Sequence, residues 1–324
     1  MRPAMRPTTG TSIRLLAGLL IPAAVLAGTG APAAADTVYP LGAVKVAMRA
    51  GARARMRFRG RWSGSSMLPA PRDALLRIHG GPGDGDTGIV RLPAGAWRPG
   101  TRTLRYSDPL AGAGGIRSVV LRAGKKGGTL KIKAKGPRWL YDLDRPQSGV
   151  AVALELGDWR ACAEVVAREI KSNGPGRLRG AARTAPPGCA CLLAGTWDAL
   201  SQVSLVQHAC TQIGCHGSAA LSTGNLDLRP GVAYASLVGV RSSADPALRR
   251  VDAGAGREAS MLWRKLAART LGLGGVPGGS MPVGDPPFSA DELEALALWI
   301  EAGAPEDGTV PGTDALLGFC LDGP

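Results

Sequence analysis

The chain has 324 residues, 45% of them hydrophobic, and a formal net charge of +14. Residues 36–185 carry 28 Lys and Arg against 11 Asp and Glu, whereas residues 186–324 carry 8 against 14, so the two halves have surfaces of opposite sign. The one sustained apolar run, residues 15–28, is too short to span a bilayer comfortably, so no transmembrane anchor is expected.

That run follows Arg2, Arg6 and Arg14 and precedes Ala33, Ala34 and Ala35. A basic start, a short apolar stretch and a small-residue site before Asp36 predict an export signal over residues 1–35. The mature chain is then periplasmic or secreted. About 290 residues remain, enough for two ordinary domains.

Residues 36–185 read as an all-β, sandwich-like domain. From Arg53 to Trp62 basic and apolar residues alternate with period two, which puts Met56, Phe58 and Trp62 on one face and arginines on the other. Residues 116–122 and 129–134 flank a Gly- and Lys-rich turn and predict a hairpin. Residues 150–156 form a further apolar strand. Glycine and proline recur every 8 to 12 residues, as in a sandwich.

The period changes after Pro186-Pro-Gly188, and residues 186–324 read as an all-α domain. Thr196 can cap a helix whose stripe is Trp197, Leu200, Val203 and Val206. A second helix is expected over residues 257–269, carrying Met261, Leu262 and Leu266. Ser289-Ala-Asp-Glu292 is a capping box before a third, with Leu293, Leu296, Trp299 and Ile300 inward and Gly303 and Pro305 beyond its end.

Six cysteines in an exported chain predict disulfides. Cys162, Cys189, Cys191 and Cys320 allow three connectivities. One of them, Cys162 with Cys189 and Cys191 with Cys320, would staple the last strand to the linker and tie together the ends of the second domain.

The remaining pair lies in Cys210-Thr-Gln-Ile-Gly-Cys215-His216, directly after the Thr196 helix. Two thiols followed at once by a histidine make a c-type haem attachment string, although the common spacer has two residues and this one has four. Met281 follows in Gly278-Gly-Ser-Met-Pro282, just before the capped helix. Residues 196–306 resemble the cytochrome c-like modules of exported proteins from planctomycete- and myxobacteria-like bacteria. The matching pieces are Cys210 to His216, Gly224-Asn-Leu-Asp-Leu228, Arg250-Val251 with Ser260 to Leu266, Met281-Pro282 and Trp299 to Ala304. Asp252-Ala-Gly-Ala-Gly256 departs from the pattern, which has Pro-Gly after the Arg-Val pair.

The resemblance implies a covalent haem c with thioethers at Cys210 and Cys215 and iron ligated by His216 and Met281. It implies one-electron transfer with a redox partner that the sequence does not name. A porphyrin edge would then lie among Trp197, Leu205, Leu262 and Trp299, with Arg241, Arg264 or Lys265 as partners for its propionates.

Blander readings stand beside it. Cys210 and Cys215 could bridge each other. Cys189, Cys191, Cys210, Cys215 and His216 have the ligand types of a zinc site. Met281 could be packing, with Met261 a core residue, and His208 a helix-end histidine or a spare ligand. Gly83-Asp-Gly-Asp-Thr-Gly88 reads as a polar turn rather than a calcium loop, lacking a later acidic ligand. His79-Gly-Gly without any G-x-S-x-G gives no serine hydrolase. The arginine strand, without interleaved exposed aromatics, argues against nucleic acid and suits a solvated face or an anionic envelope surface. The competing function is therefore a non-redox envelope binding or scaffold module, with a basic β-domain and a disulfide-stapled helical one.

Overall fold

The computed structural model describes residues 37–51, 53–64, 67–139, 141–212, 214–217 and 223–321. The expected export signal and its cleavage site lie outside them. Thirteen strands occur among the described residues. They are β1 (Thr37–Pro40), β2 (Gly42–Arg49), β3 (Arg55–Ser63), β4 (Ala74–His79), β5 (Val90–Leu92), β6 (Trp97–Gly100) and β7 (Thr103–Ser107). Then follow β8 (Ile116–Gly124), β9 (Gly127–Lys135), β10 (Gly149–Leu156), β11 (Trp159–Val166), β12 (Ile170–Gly174) and β13 (Arg177–Gly180). The smaller sheet has the order β1-β11-β10-β4-β5 and the larger β12-β13-β2-β3-β9-β8-β7-β6. Every pairing is antiparallel except β1 with β11.

The period-two patterns place the core. Along β3 exposed arginines alternate with buried Met56, Phe58 and Trp62, as the sequence predicts. β8 and β9 form the expected hairpin, and their Leu121 and Ile132 join Phe58 in one core with Leu76, Ile78, Val152 and Leu154 of the smaller sheet. Tyr39, Trp62 and Trp159 meet at 5.4–5.9 Å between ring centres and fill one end of that core.

Around Leu75 and Glu155 the smaller sheet is buried on both faces. In β4, Leu76 and Ile78 face the larger sheet while Leu75, fully buried, belongs to a second core with Leu193, Trp197, Leu200 and Trp299. A strand covered on two sides reads as a continuous apolar run, which is what Ala74-Leu-Leu76 is. Glu155, paired in register with Leu75, is also buried on this outer face, and its Oε1 accepts from the Leu192 N–H at 2.6 Å. Cys162–Cys189 and Cys191–Cys320 are both bridged, so the segment after β13 is pinned to β11 and to the chain's far end. Residues 37–321 belong to one compact unit.

The expectation of an all-α second half is corrected: the protein is mostly β-sheet, and the helices after Gly195 are few and short. They are α1 (Thr196–Ala199), running through a π-helical turn Leu200–Ser204 into α2 (Leu205–Gln207), α3 (Ala233–Leu237), α4 (Met261–Leu271), α5 (Ala290–Glu301) and α6 (Thr313–Leu317). Only the run Thr196–Gln207, α4 and α5 exceed two turns. The reason lies in the spacers. Gly272 ends α4 in the left-handed conformation, and a stretch rich in Gly and Pro follows as far as Pro287. Residues 238–260 pair instead through isolated bridges, Val238 with Val251, Arg241 with Arg249 and Arg249 with Ser260.

Thr196 is not the predicted cap; Gly195 holds that position. The Thr196 hydroxyl lies 2.7 Å from that of Thr313 and accepts from the Val310 N–H at 2.9 Å, which locks α1 to the start of α6. The capping box at Ser289 and Glu292 forms as predicted. No helix among the described residues is long and apolar enough to cross a membrane, and the two disulfides indicate an oxidising compartment.

Candidate functional site

The cysteine–histidine string occupies the turn after α2. Backbone bonds close it into a loop: Cys215 N–H donates to Gln212 O at 3.0 Å, His216 N–H to Cys210 O at 3.1 Å, and Leu228 N–H to His216 O at 2.7 Å. The carbonyl of Cys210 and the amide of His216 therefore touch, which brings the two ends of the long spacer together. Gly217 packs where a Cβ would sit 2.2 Å from Thr211 O, so no other residue fits beside His216 without shifting the loop.

Cys210 and Cys215 are the two free cysteines. Burial pushes the Cys210 thiol up to about 12, with the neighbouring Cys215 adding to it, so it stays a protonated thiol. Cys215 is exposed. Burial likewise lowers the His216 pKa, and the charges of Arg250 and Lys265 add to the fall against the opposing Leu226 backbone. The ring is then neutral near pH 7, the form in which imidazole binds a metal. Its Nδ1 is buried without a hydrogen-bond partner, an atom whose burial is costly unless something coordinates or bonds it.

Two cations set the frame around this loop. The Arg250 guanidinium donates to Ser236 O at 2.7 Å, Gly224 O at 2.8 Å and Asn225 O at 3.2 Å, fastening the chain that follows His216. Lys265 of α4 donates from Nζ to Pro277 O at 2.8 Å and Gly279 O at 2.9 Å, and its carbonyl accepts from the Met281 N–H at 3.0 Å. Lys265 thus builds the loop that carries Met281 rather than standing free for a propionate. Arg241 and Arg264 are similarly engaged, with Pro246 O and Glu258 O. Sequence reasoning missed these holding roles because backbone carbonyls are invisible to residue patterns.

Met281 is half-buried and packs, with Cys210, Leu226 and Leu262, against the second core. Met261 is buried, 3% exposed, as expected of a residue on the inward side of α4. The aromatic stripe has another use than the expected one. Trp197 and Trp299 stack on each other at 4.9 Å, Tyr234 meets Trp197 edge-on, and Trp299 donates from Nε1 to Pro305 O at 2.8 Å. These rings close the core upon themselves, and of the four expected to line a porphyrin edge only Leu262 reaches the surface.

His208 has no ring nitrogen left for a ligand. Its Nδ1 lies 2.9 Å from Pro286 O and its Nε2 3.2 Å from Glu292 Oε2, and the ring stacks on Phe288 at 4.1 Å. The zinc reading fails because Cys189 and Cys191 are in disulfides. The Gly83–Gly88 turn spends its carboxylates internally: Asp84 accepts from Gly81 and Ser148, and Asp86 pairs with Arg77. Comparison with protein-family models, with curated proteins and with solved structures returns no match.

Proposed function

We propose that this is an exported haem protein for one-electron transfer, with a covalent haem held by thioethers at Cys210 and Cys215 and its iron by His216 and Met281. One observation carries the reading. Of six cysteines, the two left as thiols are those of the attachment string, and the histidine beside them is a neutral ring with an unpartnered buried nitrogen. A disulfide-stapled scaffold has no use for that combination. Support also comes from the apolar neighbours of the loop, since Leu226, Leu262 and Met281 supply the low-dielectric side that an iron–porphyrin needs.

When bound, the haem supplies a one-electron couple whose potential is raised by thioether sulfur. The chain's own part is to hold and orient. The Cys210 carbonyl fixes the backbone of His216, Arg250 fastens the chain beyond it, and Lys265 presents Met281. His216 and Met281 would both hold the iron, and a site so ligated would favour electron transfer over open-site oxygen or peroxide chemistry.

The test is direct. The full chain, produced with haem-maturation machinery, should gain the mass of one haem that survives denaturation, together with a reducible c-type spectrum. Met281→Ala should then lower the potential and leave the covalent adduct intact. Apoprotein mass together with a Cys210–Cys215 disulfide would falsify the reading.

A further inference from the structure

We propose that the outer face of the larger sheet is a binding plate for a linear acidic polysaccharide, one carrying sulfate or carboxylate groups. The eight strands of that sheet contain sixteen Lys and Arg and not one Asp or Glu. All sixteen are exposed. The pairing register shows what the sequence alone does not, that these cations stand directly opposite one another. One row crosses four strands as Arg177, Arg49, Arg55 and Lys135. Another, four residues along β3, runs Lys45, Arg59, Lys131 and then, beyond Val120, Arg105.

Like charges directly opposite in a sheet destabilise it. None of these sixteen takes part in an ion pair among the described residues; the ion pairs lie on other surfaces. A face that repels itself across four strands is relieved by an external polyanion, beyond what mobile salt screens. Two depressions mark where it would sit. One, of about 100 Å³, is ringed by Arg49, Arg55, Arg57, Arg177 and Arg179. The other, of about 290 Å³, joins Arg102, Arg122 and Lys131 to the hydroxyls of Thr103 and Thr129 over Val120. β2 and β8, at their centres, are three strand spacings apart, about 14 Å. Guanidinium forks match sulfate and carboxylate, and threonine hydroxyls match sugar.

The shape selects the polymer. None of the large exposed apolar residues lies on these strands, so nothing there would enter a bilayer. The aromatic residues of the same strands, Phe58, Trp62, Trp97 and Tyr106, are all buried, so no ring is offered for base stacking. The face of an eight-stranded sheet also presents neither a helix nor a lone two-stranded ribbon to a DNA groove. The two disulfides indicate an oxidising compartment, a setting in which an extracellular acidic polysaccharide would be met.

The experiment titrates the full chain into fluorescein-labelled heparin and alginate at several salt concentrations, against neutral dextran, duplex DNA and phosphatidylglycerol vesicles. Arg55→Gln, Arg57→Gln, Arg177→Gln and Arg179→Gln together should weaken heparin or alginate binding by on the order of 1,000-fold at 0.1 M salt and flatten the salt slope by about four. The same four changes at Arg72, Arg145, Arg241 and Arg269, off the plate, should leave both nearly unchanged. The plate variant should also melt at or above the wild-type temperature, since repulsion is removed. Equal losses in the two variants would overturn the plate, and so would a lower melting temperature for the plate variant. Tighter wild-type binding to DNA or vesicles than to either polysaccharide would overturn the choice of polymer.

Discussion

Loss of one disulfide should cost the fold measurably more than loss of the other, and the order follows from the chain between the bridged residues. Cys162 and Cys189 are separated by 27 residues, Cys191 and Cys320 by 129. In the loop-entropy account a bridge acts mainly on the unfolded chain, and its contribution grows with the logarithm of the loop. For these two loops that gives about 3.5 and about 5 kcal/mol at 25 °C, a difference of about 1.4 kcal/mol. The native contacts push the same way, because Arg160 donates to Cys191 Sγ at 3.0 Å and would lose that partner. Cys162→Ala with Cys189→Ala, and Cys191→Ala with Cys320→Ala, both leave the Cys210 and Cys215 thiols untouched. Urea unfolding followed by tryptophan fluorescence gives each free energy. If the first pair costs as much as the second, the loop argument is wrong for this chain, and native-state strain or residual unfolded structure decides instead.

Two further outcomes follow from single side chains. Burial, the largest influence, pushes the Glu292 carboxyl up, yet the His208 hydrogen bond and those from Ser289 together hold it below its ordinary value. A depressed carboxyl stabilises fully above its unfolded pKa, about 4.5 here, and that stabilisation drains away as pH falls through the lower folded value. Glu292→Gln should therefore flatten the acid limb of a urea-midpoint series between pH 3 and 6; an unchanged limb would show that other carboxylates govern it. Leu75 is the apolar link from the smaller sheet to the helical layer, and Leu75→Ala should destabilise by about 3 kcal/mol. It should do so in a single cooperative transition, because both cores share that sheet. Two separate transitions in calorimetry would contradict this.

Much of the architecture is legible in the residues wherever a short-range rule decides. Arg53 to Trp62 declares its inward face by strict alternation, and Ser289 with Glu292 declares a helix start by two reciprocal bonds. The Cys162–Cys189 and Cys191–Cys320 pairs were one of three possibilities and became unique only in three dimensions. The all-α expectation failed where glycine and proline spacers outweigh the apolar stripes. Trp197, Leu200 and Val203 recur at helical spacing and do lie in the helical run Thr196–Gln207, their face covered by Trp299 and the smaller sheet. Thr196 shows the limit of such patterns, because its hydroxyl bonds to residues more than a hundred positions away.

The string Cys210 to His216 illustrates how a loop can be held without lying on a helix. Between Gln207 and Ala233 the described chain has one three-residue 3-10 turn and otherwise loop, yet nearly every anchoring bond there ends on a backbone carbonyl. Those bonds converge on α4. Arg250, just ahead of it, fixes residues 224–225 and accepts from the Leu262 amide through its own carbonyl. Lys265, within it, fixes the loop bearing Met281 from the other side. α4 is thus the common rigid body for both halves of the proposed ligand set. Its α-helical bonds, unlike loop bonds, break only with the tertiary core into which Trp263, Leu266 and Ala267 are packed. Rigidity is passed from the core through α4 to residues 224–225 on one side and Met281 on the other, so under the proposed haem function a small reorganisation on electron transfer would follow from packing rather than from loop sequence.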